Sequence, residues 1–218
     1  MPTRLAVFDC DGTISDGQAA VCAAMARAFA AAALPVPPDH AIRRIVGLSL
    51  PVAVRHLAPD ETPAMHGEIV DAYRVAFFKA RSEGLVAEPL YDGIGELLRS
   101  LHDKGWLLGV ATGKSDRGLK GCLANHQIFD LFVTLQTADR HPSKPDPAML
   151  AAAMAEAGAQ PGDTVMIGDT AFDIAMARAA GCRAIGVAWG YHAPDELLAA
   201  GAEAVALTAA ELEELIDG

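Results

Sequence analysis

The sequence predicts an α/β fold with a Rossmann-like parallel sheet, helices on both faces of that sheet, and an inserted all-helical subdomain. The first observation that favours this class is the alternation of short apolar segments with helical patterns beyond Leu90, which is typical of a parallel sheet covered by helices. The second is a long helical stretch that separates the first apolar segment from the later ones. We therefore expect one sheet whose first strand is followed by an insertion.

The composition of the 218-residue chain indicates a folded protein and excludes some classes of partner. Apolar residues make up 52% and charged residues 21%, a balance that supports a sizeable core and excludes disorder. A formal net charge of −11 argues against nucleic acid as a partner. No apolar segment spans a membrane comfortably and the first strand begins too early for a secretory signal, so we expect a cytoplasmic protein. Either a monomer or a homodimer is compatible with the sequence.

The four cysteines are spaced too widely for the usual zinc or disulfide frameworks. Cys10, Cys22, Cys122 and Cys182 form no CxxC pair. None of them is followed six residues later by the arginine that a thiol phosphatase would need. We therefore expect four reduced thiols, mostly buried.

The first predicted strand, Leu5–Phe8, leads directly into two carboxylates, Asp9 and Asp11. Because alternate side chains of an extended chain share a face, both carboxylates can point into one site. Two anions held so close repel each other unless a cation or a shared proton offsets their charge. The pair therefore predicts either a divalent metal or an acid/base pair.

The stretch from about Gln18 to Ser82 is helical in pattern, and proline-rich joints divide it into four short helices. The first strand belongs with the later sheet, so residues 1–16 and 84–218 are assigned to the core and 17–83 to an inserted helical cap. Ligands of such sheets bind at the carboxyl ends of the strands. An insertion that leaves from that edge is expected to cover the site as a lid.

Polar residues follow the later strands, which are predicted at Leu107–Ala111, Leu131–Leu135, Val165–Ile167, Ala184–Val187 and Ala204–Ala206. Thr112 and Gly113 follow the second strand and offer a hydroxyl and a closely approachable N–H to an anion, although an ordinary helix start has the same pattern. Lys144 lies in a loop that prolines stiffen, which suits a charge held in place.

The segment Gly168–Asp173 ends another apolar strand and opens a helix. Thr170 and Asp173 have the spacing of a capping box, which accounts for both without any catalytic role. That explanation leaves out Asp169, which is costly to bury at the end of an apolar strand without a partner. Asp169 is thus a candidate metal ligand, whereas Asp173 is expected to act on the metal indirectly, through another ligand or through water.

These segments together resemble the four motifs of the haloacid-dehalogenase-like superfamily of phosphohydrolases, in the family's order and over nearly the whole chain. Asp9-x-Asp11-Gly-Thr comes first, and Thr112, Lys144 and the Asp169/Asp173 segment follow. The chain is most similar to the phosphoglycolate-phosphatase-like group, in which a helical cap is inserted just after the first motif. The resemblance implies a Mg²⁺-dependent phosphatase that acts on a small phosphorylated metabolite.

The same resemblance implies a role for each motif residue. Asp9 would attack phosphorus to give a phosphoaspartyl intermediate, and Asp11 would protonate the leaving oxygen and later deprotonate water. Thr112, Gly113 and Lys144 would bind the phosphoryl group. Mg²⁺ would be held by Asp9, Asp11 through its carbonyl, Asp169 and, more remotely, Asp173.

Substrate specificity is expected to lie in the cap, where Arg44, Gly47 and Ser49 are the candidate substrate-binding residues. Leu48 and Ser49 replace the more polar, glycine-rich segment expected in phosphoglycolate phosphatases. The substrate is therefore left open between phosphoglycolate and other phosphate monoesters, including sugar phosphates.

Several alternatives use similar residues. A phosphomutase or other phosphotransferase would pass the phosphoryl group from the same aspartate to a hydroxyl. A haloacid dehalogenase needs neither the metal nor the second acid, so Asp11 and Asp169 argue against it. A receiver-like signalling module lacks the helical insertion, and a non-catalytic phosphate-binding protein would not need the full set of chemical residues.

Overall fold

The computed structural model describes residues 3–218 and contains a six-stranded parallel sheet with the order β3-β2-β1-β4-β5-β6. Helices cover both faces of the sheet, which confirms the predicted fold class. The strands are β1 (Leu5–Phe8), β2 (Leu107–Thr112), β3 (Phe132–Thr137), β4 (Thr164–Gly168), β5 (Arg183–Val187) and β6 (Ala204–Ala206).

Four helices follow β1 before the chain returns to the sheet, as predicted: α1 (Gln18–Ala31), α2 (Asp39–Arg44), α3 (Leu50–Leu57) and α4 (Pro63–Ser82). They are not all short, since α4 has 20 residues. Thr62 caps α4 by accepting a hydrogen bond from Met65 N, and no proline interrupts the helix after its first residue. The remaining helices are α5 (Ile94–Asp103), α6 (Asp116–Asn125), α7 (Ala148–Ala157), α8 (Ala171–Ala180), α9 (Pro194–Ala200) and α10 (Ala209–Asp217).

The central strand β1 shows why the sheet is covered on both sides. Ala6 and Phe8 belong to a hydrophobic cluster on one face, while Leu5 and Val7 belong to a second cluster on the other. All four side chains are fully buried. A strand buried on both faces is apolar without alternation, and the first polar side chain therefore occurs where the strand ends.

The inserted helices α1–α4 have a hydrophobic cluster of their own, which includes Met25, Phe29, Ile42 and Ile69. The two crossings between insertion and sheet run side by side and are hydrogen-bonded to each other. Asp16 N donates to the carbonyl of Pro89 at 2.8 Å, and Tyr91 N donates to that of Ile14 at 3.1 Å. Among residues 3–218, no helix combines the length and the hydropathy that a membrane crossing requires.

Candidate active site

The predicted polar residues meet at the carboxyl ends of three adjacent strands. Strand β1 pairs with β2 on one side and with β4 on the other, so Asp9, Thr112 and Asp169 lie at the same edge of the sheet. Asp9 N continues the ladder by donating to Ile167 O at 2.9 Å. All three side chains are buried, which places polar groups where an apolar core would otherwise continue.

Asp9 has one satisfied carboxylate oxygen and one free one. Oδ1 accepts a hydrogen bond from Cys10 N at 2.6 Å and lies 2.9 Å from Lys144 Nζ. Oδ2 is buried and has no hydrogen-bond partner. Burial raises the pKa of Asp9 to about 7, although Lys144 opposes the rise. A buried carboxylate oxygen without a partner is costly, and an added cation would stabilise its charge.

Lys144 reaches this carboxylate from the loop between β3 and α7. Its ammonium lies 2.9 Å from Asp9 Oδ1 and 2.6 Å from Asp173 Oδ1, and all three side chains are fully buried. Burial alone would lower the pKa of Lys144, but the charges of Asp173 and Asp9 outweigh it and raise the pKa above its usual value. Lys144 is therefore a buried positive charge held against the Asp9 carboxylate through Oδ1.

Asp169 is held from two sides at the end of β4. Oδ1 accepts from Thr13 Oγ1 at 2.9 Å, and Oδ2 accepts from Tyr191 N at 2.9 Å. A side chain at Gly12 or Gly190 would collide with this carboxylate, so both glycines let the backbone approach it closely. Burial, with the charges of Asp173 and Asp9, raises the pKa of Asp169 well above its usual value.

Asp173 forms the capping box with Thr170 that its spacing predicted. Its Oδ2 accepts from Thr170 Oγ1 at 2.7 Å and from Thr170 N at 3.1 Å, while Oδ1 faces Lys144. The capping role and the proximity to Asp9 thus occur together. Asp173 thus joins the start of α8 to Lys144, one carboxylate oxygen on each.

The carboxylates form a set of oxygens that suits a hard divalent cation. Asp9, Asp169 and Asp173 each offer one oxygen, and these three atoms lie within 4.8 Å of one another. Three buried carboxylates share one buried ammonium, so the cluster lacks positive charge, and Asp9 Oδ2 has no partner. Oxygen ligands of this kind are those that Mg²⁺ takes in proteins. The residues therefore fit Mg²⁺, and the unpartnered Asp9 Oδ2 is the oxygen that most lacks a cation.

The Asp11 carboxylate lies in an ion pair that the sequence did not reveal. Asp11 Oδ1 lies 2.7 Å from Lys114 Nζ, which is also 2.7 Å from Glu88 Oε1. In the sequence, only the position of Lys114 two residues after Thr112, at the same sheet edge, indicates that it belongs to the site. Glu88 lies in the returning crossing and had no signal in the sequence.

Two of the three candidate residues from the insertion lie over this edge. Gly47 adopts a φ of +99°, and a Cβ built there would lie 3.8 Å from Asp9 Oδ2. Ser49 N donates to Ser143 Oγ at 2.8 Å, next to Lys144. Arg44 is engaged elsewhere, since its guanidinium lies 2.7 Å from both carboxylate oxygens of Glu196 on α9.

Thr112 and Gly113 lie beneath the same part of the insertion. Thr112 Oγ1 accepts from Lys114 N at 3.3 Å, and Gly113 faces the backbone of Gly47 and Leu48. A Cβ at Gly113 would lie 2.5 Å from Leu48 O and 2.7 Å from Gly47 O. The insertion thus contacts the loop after β2 so closely that only glycine fits there.

Gly113→Ala is expected to lower the free energy of unfolding by about 1–3 kcal/mol, because the added methyl group overlaps backbone atoms that cannot move aside alone. Gly162→Ala is the matched control, since nothing lies within 4 Å of a Cβ there. Urea unfolding of both variants gives the comparison, and limited proteolysis reports whether the insertion becomes more accessible. Equal stability of the two variants would contradict the contact with Leu48.

Comparison with known proteins agrees with the motifs. A family model described as haloacid dehalogenase-like hydrolase matches residues 6–187. The chain is 34% identical to the probable phosphatase IndB of Dickeya dadantii, over 95% of this chain and 91% of that one. It is 29% identical to a phosphoglycolate phosphatase of Vibrio vulnificus, over 98% and 96% of the two chains. A solved structure described as a predicted phosphatase from Clostridium acetobutylicum has a TM-score of 0.88 at 26% identity, with 99% of each chain covered. The chain belongs to the haloacid dehalogenase-like hydrolase family, as the order of its motifs predicted.

Proposed function

We propose that this protein is a Mg²⁺-dependent phosphatase that hydrolyses a small phosphorylated metabolite through a phosphoaspartyl intermediate on Asp9. The observation that carries the proposal is the buried, unpartnered Asp9 Oδ2, on a carboxylate whose other oxygen contacts the Lys144 ammonium. A carboxylate oxygen of this kind is available for attack on phosphorus, and the adjacent cation offsets charge on the phosphoryl group. The names of the relatives, phosphatase and phosphoglycolate phosphatase, agree with this chemistry.

The remaining core residues supply binding and proton transfer in this proposal. The Thr112 hydroxyl and the Gly113 N–H bind phosphoryl oxygens, and Lys144 neutralises them. Asp11 gives a proton to the leaving oxygen as its bond to phosphorus breaks, and then takes one from the water that attacks the phosphoaspartate. Asp9, Asp169 and the Asp11 carbonyl would hold Mg²⁺, with Asp173 further out. When bound, the ion supplies positive charge at the phosphoryl oxygens.

Residues 17–83 act as a cap over the core of residues 1–16 and 84–218 in the same proposal. A Cβ at Gly47 would lie 3.8 Å from Asp9 Oδ2, and Ser49 is hydrogen-bonded to Ser143 beside Lys144, so the insertion lies close over Asp9. A close cover excludes stray water from the acyl phosphate. Arg44 can bind substrate only after its guanidinium leaves Glu196. The expected substrates are therefore phosphoglycolate-like or sugar phosphate monoesters.

The metal dependence can be measured with p-nitrophenyl phosphate. We expect phosphate release with Mg²⁺ and none after the metal is removed with EDTA. Mg²⁺ is also expected to raise the Tm of the wild-type protein, because a ligand at 100 times its Kd stabilises the folded state by about 2.7 kcal/mol. Asp169→Asn should lose both effects, whereas Asp60→Asn, at an exposed position, should keep them. A full Mg²⁺-induced rise in Tm for Asp169→Asn would contradict the assignment of Asp169 as a ligand.

A screen of phosphorylated metabolites separates hydrolysis from phosphoryl transfer. Release of inorganic phosphate from one or more monoesters in the presence of Mg²⁺ is the expected result. Formation of an isomeric sugar phosphate without phosphate release would instead identify a phosphomutase. Absence of any reaction with the wild-type protein would contradict the proposed enzyme function.

A further inference from the structure

Four charged side chains of alternating sign connect the first motif to the inserted helices. Lys114 Nζ lies 2.7 Å from Asp11 Oδ1 and 2.7 Å from Glu88 Oε1, and Arg81 Nη2 lies 2.6 Å from Glu88 Oε2. We refer to Asp11, Lys114, Glu88 and Arg81 as the ion chain. These four residues come from four different segments, so the ion chain forms only when all four segments are in place together.

The inner part of the ion chain is shielded from water. The side chains of Lys114, Asp11 and Glu88 are 8%, 11% and 7% exposed, whereas that of Arg81 is 25% exposed. Charges at such depth are screened little by salt or solvent, and removing one of them leaves its partners uncompensated. Lys114 therefore restricts where the Asp11 carboxylate can lie. Gly17 allows this arrangement, since a Cβ there would lie 2.8 Å from Asp11 Oδ1.

The outer part of the ion chain links this arrangement to the position of α4. Arg81 lies near the end of α4 and also packs on α6, where a Cβ at Gly121 would lie 2.7 Å from Arg81 Nη1. Glu88 precedes Pro89, whose carbonyl accepts the hydrogen bond from Asp16 N between the two crossings. A displacement of α4 from α6 therefore moves Arg81 and, through Glu88, loosens Lys114.

We propose that Lys114 is a positioning residue for the reaction. Its ammonium fixes the Asp11 carboxylate in the orientation needed for proton transfer, and Glu88 with Arg81 makes that orientation depend on the placement of the inserted helices. This inference rests on the proposed function, which assigns proton transfer to Asp11. Lys114 keeps its own proton throughout, while the proton that Asp11 gives to the leaving oxygen is recovered from the attacking water.

Leaving-group dependence tests the proposal, because proton transfer is needed only when the leaving group is a poor one. Lys114→Met is compared with the wild-type enzyme on p-nitrophenyl phosphate and on the alkyl phosphate hydrolysed fastest in the screen. We expect kcat for the alkyl phosphate to fall by about 100-fold and kcat for the aryl phosphate by less than about tenfold. Lys120→Met, at an exposed position on α6, the helix that follows Lys114, is the control and should leave both rates unchanged.

Equal losses on the two substrates, or no loss on either, would overturn the proposal. If Lys114→Met does not fold, Glu88→Gln replaces it in the test, because the amide oxygen can still accept a hydrogen bond from Lys114. Glu88→Gln and Arg81→Met are each expected to give a smaller loss with the same preference for the alkyl substrate, and equal losses would again overturn the proposal. Failure of the proposed function is distinguishable, because then the wild-type enzyme releases no phosphate from either substrate.

Discussion

Asp9→Asn is expected to reduce turnover by on the order of 10⁴-fold or more, because the proposed mechanism requires the Asp9 carboxylate to attack phosphorus and an amide cannot do so. The fold should persist, since the amide is isosteric and its oxygen can still accept from Cys10 N. Removing one of three buried carboxylates also relieves their mutual repulsion. Phosphate release with Mg²⁺ and circular dichroism on the same preparation measure both effects.

Asp92→Asn makes the same chemical change at an exposed position and is the control for Asp9→Asn. It should match the wild-type enzyme in turnover and in stability. A second measurement follows the intermediate itself, since wild-type enzyme quenched in acid during turnover should carry acid-stable, hydroxylamine-labile phosphate that Asp9→Asn lacks. Near wild-type turnover by Asp9→Asn would end the phosphoaspartate proposal.

The fold and the core of the site could be predicted because both depend on local patterns. The apolar run Leu5–Phe8 serves two hydrophobic clusters, so it indicates a central strand, and in a parallel sheet the residues after such strands share one edge. The end of β3 was harder to predict. The predicted strand ends at Leu135, whereas β3 continues through the polar residues Gln136 and Thr137. Gln136 can be buried there because its amide donates to Glu156 and Thr134.

What the sequence could not show is which distant charges pair. The Arg44 guanidinium pairs with Glu196, 152 positions away in the sequence, and the Lys114 ammonium pairs with Glu88, 26 positions away. The first contact depends on where the insertion lies on the core and the second on where the returning crossing lies, and no local pattern contains either. Sequence alone therefore makes Arg44 a candidate for substrate binding and does not mark Lys114 as the buried cation beside Asp11.

Lys144→Met is expected to lower turnover by about 10²–10³-fold, comparable to the loss of one group that stabilises charge in a transition state. Its effect on stability should also be large, because the ammonium contacts two fully buried carboxylates, Asp9 and Asp173. Breaking a buried ion pair from one side costs about 3–5 kcal/mol. Urea unfolding in EDTA and steady-state phosphate release measure the two losses separately.

The pH dependence and a double variant distinguish the two roles of Lys144. Burial raises the pKa of Asp9 from 3.8 in the unfolded chain to about 7, so the folded state binds this proton more tightly. The free energy of unfolding that this group contributes therefore falls as the pH rises from about 4 to about 7. Without the opposing charge of Lys144 the pKa of Asp9 should rise further and the fall should continue to higher pH, so the stability defect of Lys144→Met should be smaller at about pH 5 than at about pH 8. Adding Asp173→Asn removes one of the uncompensated charges and should restore much of the stability at the higher pH. It should not restore turnover, because the phosphoryl group still lacks its cation, and recovery of turnover in the double variant would show that Lys144 acts only by stabilising the fold.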